Sequence, residues 1–108
     1  MYGPHAPNGD EALMPKGYLI GHITVNDPDA YAEYVERDTP ILAKHGGRFI
    51  VRGGQSQTCE GETLKRHVVI EFPSYAAAQD AYNDPEYQAV ADIRRRTADS
   101  VIILVEGT

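Results

Sequence analysis

The chain has 108 residues, of which 42% are apolar and 24% charged, a mix that supports one domain around one core. Its net charge of -6 makes nucleic acid an unexpected partner, because an acidic surface is repelled by the phosphate backbone. The longest uncharged apolar run, Val101–Val105, is far too short to span a bilayer, so no membrane partner is expected.

Residues 1–15, MYGPHAPNGDEALMP, hold prolines and glycines without periodicity and read as a flexible, solvated extension, His5 included. No apolar secretory segment follows Met1. Residues 16–108 then form the single domain. KGYLIGHITV alternates cleanly and reads as a strand. Leu19, Ile23 and Val25 share one face with Gly21. Tyr18, Ile20, His22 and Thr24 share the other, which is mixed enough to build a site on.

A helix follows, with Asp27 as N-cap and Pro28 at its first position. Tyr31, Tyr34 and Val35 form its apolar stripe, and Ile41 and Leu42 continue it. Pro40 lacks a donor and its ring clashes with the preceding turn, so a kink or break between Arg37 and Ile41 is predicted. Gly46 is the expected left-handed cap. The doublet Gly46-Gly47 therefore ends a helix, whereas a phosphate cradle needs a glycine loop that opens one.

Arg48–Arg52 reads as the second strand, with Arg48, Ile50 and Arg52 on one face and Phe49 and Val51 on the other. Gly53-Gly54 reads as a bulge or bend, and QSQTCEGE as a ragged extension before a turn at Glu60-Gly61. The single cysteine, Cys59, leaves no internal disulfide and fits a reducing cytoplasm. KRHVVIEFP is the third strand. Val68, Ile70 and Phe72 take one face; His67, Val69 and Glu71 take the other. Ser74 caps a short helix over Tyr75–Tyr82, and Asp84 caps another that turns Tyr87, Val90, Ala91 and Ile93 inward. SVIILVEG is the last strand, apolar enough for burial on both faces.

The order β-α-β-β-α-β, with the second helical segment divided, is the ferredoxin-like split pattern of the α+β class. It predicts an antiparallel four-stranded sheet of order 4-1-3-2 with helices on one face. The bare face then calls for a second copy of the chain, a homodimer.

The segments DPDAYAEY, HGGRFIVRGG, VVIEFPS and AYNDPEYQ, in this order and spacing, resemble the bacterial family of domain of unknown function 1330 over residues 17–107. That resemblance implies a dimeric α+β barrel, the fold of antibiotic-biosynthesis monooxygenases and muconolactone isomerases. Two sheets would pack bare face to bare face across a two-fold axis. It implies no particular activity.

The polar residues expected on the bare face are Tyr18, His22, Arg48, Arg52, His67 and Glu71. Arg52 paired with Glu71 forms either an ion pair fixing the dimer or a site. In the site reading, Arg52 anchors a small carboxylate and His22 or Glu71 moves a proton, with Tyr18, His67 and Tyr34 as ligand-binding neighbours. Tyr31, Tyr34, Tyr82 and Tyr87 either pack the core or line a pocket for an aromatic compound. No HxH, HxxxH or CxxC spacing and no cofactor motif occurs, so neither metal nor cofactor is expected. Three functions remain open: a small-molecule enzyme acting on an acidic or aromatic metabolite by proton transfer or cofactor-free oxygenation, a non-catalytic binding module, or a structural dimerisation module.

Overall fold

The structure, a computed structural model, describes residues 14–108. The expected extension lies outside them through residue 13, and His5 with it. Seven elements follow in chain order: β1 (Gly17–Val25), α1 (Pro28–Lys44), β2 (Arg48–Arg52), β3 (Arg66–Phe72), α2 (Tyr75–Asn83), α3 (Pro85–Thr97) and β4 (Ala98–Glu106). The strands lie side by side as β2-β3-β1-β4, every neighbouring pair antiparallel, which is the predicted order.

The three predicted caps form. Asp27 accepts from the Ala30 N–H at 3.2 Å, Ser74 from Ala77 at 3.1 Å and Asp84 from Glu86 at 2.8 Å. Gly46 ends α1 at φ 81°, a conformation side chains resist. The core lies between sheet and helices. Leu19, Ile23, Val68, Ile70 and Phe72 face Tyr31, Tyr34, Leu42, Ala81, Tyr87 and Val90. Each large side chain so buried contributes roughly 1.5–3 kcal/mol before chain entropy is counted.

Four expectations are corrected. First, α1 runs unbroken through Pro40. Beyond it Ile41 and Leu42 are buried, and together they offset the roughly 3 kcal/mol that an internal proline costs. Pro40 and Glu36, whose carbonyl loses its donor, lie on the exposed side where water reaches them. Second, β2 carries a bulge. Arg48 pairs with Glu71 and Phe49 with Ile70, yet Val51 pairs with Val69 and Arg52 with Val68. Ile50 is the extra residue, so alternation slips by one and Phe49 and Arg52 share the helix side. Third, residues 53–65 add no strand; they form an irregular connection that stays exposed from Gly53 to Thr63. Fourth, β4 is covered on one face only, leaving Val101, Ile103 and Val105 exposed.

Candidate functional site

The bulge in β2 decides where the polar groups go. With Arg52 turned to the helix side, its Nη2 donates to Thr39 Oγ1 at 2.8 Å and to the Val35 carbonyl at 3.2 Å. The same nitrogen lies 3.7 Å from Asp38 Oδ1. The guanidinium carbon stacks 3.8 Å from the centre of the Phe49 ring. Arg52 thus ties the edge strand to α1. The expected pairing of Arg52 with Glu71 does not form.

Among the described residues Asp38 is the one buried carboxylate, 4% exposed. It belongs to the apolar stripe of α1, four residues after Tyr34 and seven after Tyr31, so helical geometry carries it inward. Burial raises its pKa from 3.8 to about 6, against the opposing pull of the Thr39 hydroxyl and the Arg52 cation. Tyr34, buried beside it, shares a 2.7 Å hydrogen bond with the Tyr87 hydroxyl. Burial pushes the Tyr34 phenol well above its usual range. Burial also pushes Tyr31 up, with the nearby Arg66 cation working the other way.

These groups line a recess between α1 and the sheet, together with Phe49, Arg66, Val68 and Ile70. Its free space is about 20 Å³, room for one water, and it opens to solvent at one side. Next to it, Arg94 is 3% exposed; its Nη1 donates to Ser100 Oγ at 2.7 Å and its guanidinium lies 5.6 Å from the Tyr34 ring centre.

The bare face carries a second cluster. His22 and His67 stand opposite one another in register, their Nδ1 atoms 2.9 Å apart, so one ring donates to the other. Glu71 accepts from Tyr18 Oη at 3.2 Å and from Arg48 Nη2 at 3.0 Å. The Arg48 hydrogen bond holds the Glu71 carboxyl below its usual range. A carboxylate so paired is a weak proton acceptor at neutral pH, whereas Asp38 is poised near it.

The residues singled out from sequence therefore divide. Tyr18, His22, His67 and Glu71 share the bare face, while Arg52 and Tyr34 belong to the recess on the opposite side of the sheet. Sequence reasoning missed Asp38 and Arg66, and the solvated face it expects for Arg94-Arg95-Arg96 is corrected at Arg94, which is buried. Each was readable: Asp38 and Arg94 sit in register with inward stripes, and Arg66 alternates with Val68, Ile70 and Phe72. Among the described residues, no group of three or more His, Cys, Asp or Glu side chains is arranged to hold a metal ion.

The family described as domain of unknown function (DUF1330) matches residues 16–108. No curated protein matches the chain. Among solved structures, the chain is similar to RPA0582, a protein of unknown function from Rhodopseudomonas palustris, at 21% identity and TM-score 0.69, covering 87% of this chain and 83% of that one. It is similar to SnoaB, a cofactor-independent oxygenase from Streptomyces nogalater, at 15% identity and TM-score 0.61, covering 87% and 94%. A dimeric protein of unknown function and ferredoxin-like fold from Bacteroides fragilis aligns at 16% identity and TM-score 0.58, covering 84% and 95%. At such identities the likeness concerns the fold.

Proposed function

The chain belongs to the family of domain of unknown function 1330, and we propose that it works as a small-molecule enzyme whose chemistry is proton transfer through Asp38 to and from an acidic or aromatic metabolite. One observation carries this reading: a carboxylate 4% exposed, with its pKa raised to about 6, lines a recess whose largely aliphatic wall also holds three aromatic rings and two guanidinium groups. An acid near neutrality both accepts and returns a proton efficiently. Arg52 orients the carboxylate and offsets its charge. Tyr34, its phenol held neutral and hydrogen-bonded to Tyr87, donates toward charge that develops on the substrate. A structural ion pair alone accounts less well for the recess, because Asp38 and Arg52 stand 3.7 Å apart rather than in close bidentate contact.

Cofactor-free oxygenation is a second reading. It draws on the cofactor-independent oxygenase among the fold neighbours and on the same proton abstraction, which yields an electron-rich substrate. Oxygen uptake separates the two. On the bare face, His22, His67, Tyr18 and Glu71 serve binding or assembly in this proposal. Exposed Val101, Ile103 and Val105 around them fit a second copy of the chain, as the dimeric neighbour supports. The exposed free thiol of Cys59 fits a reducing cytoplasm.

The test is incorporation of solvent deuterium into a panel of 2-oxo and hydroxyaromatic carboxylic acids, followed by proton NMR. At least one compound is expected to exchange, with a limb near pH 6, and Asp38→Asn is expected to slow it by about 100-fold or more. Exchange that is untouched by Asp38→Asn sinks the reading.

A further inference from the structure

Arg66 opens β3 opposite Ile23, which turns its side chain toward the helices. It reaches the recess and contributes to its wall. Its charge reaches Tyr31 and, more weakly, Asp38, yet among the described residues no ion pair closes on its guanidinium within 4 Å and its buried Nε has no partner. The group is nevertheless held in place. Its carbon lies 5.9 Å from the Tyr31 ring centre. On the other side Gly53, at φ 68°, lies so close that a Cβ there would overlap Nη1.

Charge counting sharpens the point. Around the recess stand three guanidinium groups, Arg52, Arg66 and Arg94, against one carboxylate, Asp38, and that carboxylate lies against Arg52. This local excess of positive charge sits in a chain of net charge -6, where acidic partners abound. A half-buried cation with no carboxylate in direct contact is stabilised when an anion arrives. Arg52 has committed its Nη2 to α1, and Arg94, bonded to Ser100 Oγ, stands outside the wall of the recess, so Arg66 is the guanidinium of that wall left to receive one.

We propose that Arg66 is the receptor for the carboxylate of a small, flat acid that docks at the mouth of the recess, with the ring or enol part of that acid lying over Phe49 and wedging the one-water space open toward Asp38 and Tyr34. The guanidinium fork, clamped between Gly53 and Tyr31, suits a planar carboxylate bidentately. Tyr31, Tyr34 and Phe49, set among aliphatic side chains, favour a planar apolar body. This site deepens the proton-transfer reading and rests on it for the identity of the reacting group, but the anion receptor itself stands on the unpartnered Arg66.

The experiment is calorimetric titration with salicylate and benzoate as probes, on the full chain and on Arg66→Met and Arg66→Lys. The full chain is expected to bind salicylate, Arg66→Met to weaken binding about 10- to 100-fold, and Arg66→Lys to fall between them. Without ligand, Arg66→Met is expected to melt no lower than the full chain, because it removes an unpaired charge. Unchanged salicylate binding by Arg66→Met overturns the proposal, and so does failure of the full chain to bind either probe. A marked drop in melting temperature of the unliganded variant also overturns it, since Arg66 would then have a partner within the protein. Binding that depends on Arg66 without Asp38-dependent exchange leaves the receptor standing and removes the enzyme reading. Asp38-dependent exchange with unaltered KM in Arg66→Met does the reverse.

Discussion

Asp38 ties stability to chemistry at the scale of one residue. Its folded pKa of about 6 exceeds the ordinary 3.8, so between those values the folded protein holds a proton that the unfolded chain has released. Its contribution is therefore full below pH 4 and is lost as pH rises through 6. Asp38→Asn, a neutral isostere, is expected to match the wild type near pH 4 and to exceed it by about 2–3 kcal/mol at pH 8. Urea unfolding of both proteins at the two pH values checks this; equal stability at pH 8 would mean that Asp38 gains as much from Arg52 and Thr39 as it loses by burial. Asp38 was legible in sequence as an acid in register with Tyr31 and Tyr34. Its burial beneath Arg52 depends on the bulge in β2, which the pattern of α1 does not carry. Arg66 was hidden differently: its alternation was visible, but its lack of a partner is a fact of three dimensions.

Proline chemistry and strand alternation are rules for single elements, and each failed once for a reason outside its element. Pro40 lies within α1 because the turn beyond it is anchored by Ile41 and Leu42, 6% and 1% exposed. Thr39 Oγ1 and Arg52 Nη2 both donate to the Val35 carbonyl one turn earlier, which adds support around the proline. Pro40→Ala restores a helical hydrogen bond to the Glu36 carbonyl at the expense of some unfolded-chain stiffness. It is expected to stabilise the protein by about 1–2 kcal/mol, read as a rise in melting temperature. A lower melting temperature would mean that the helix is built around the proline. In β2, single-residue alternation put Arg52 beside Glu71. One inserted residue, Ile50, reversed that, and no sequence signal marks a bulge inside RFIVR, since its partner strand sets the register. The bend expected at Gly53-Gly54 forms beside the bulge, with Gly53 at φ 68°, and the caps at Asp27, Ser74 and Asp84 form as expected because they depend on local chemistry alone.

The whole molecule presents two candidate surfaces back to back across one sheet. The order of elements, the sheet order and the bare face were all legible from periodicity and caps, because each follows from local pattern and a small menu of topologies. Which side of the sheet holds the site was not legible, since that turned on one bulge. Val51, Val101, Ile103 and Val105 make the bare face apolar, and a second copy is the expected cover. Ile103→Asp should shift sedimentation at micromolar concentration from dimer to monomer while leaving the far-ultraviolet circular dichroism spectrum unchanged; a wild-type monomer would remove the barrel assembly. The recess on the other side should then still bind its ligand. The central claim is that this recess, and not the histidine face, is where a small acid is received. Salicylate added to nitrogen-15-labelled protein tests it most directly, through residue-resolved changes in amide and arginine side-chain signals. The account predicts shifts at Tyr31, Asp38, Gly53 and the Arg66 Nε, with little change at His22, His67 and Val101. Shifts confined to the histidine face would contradict it.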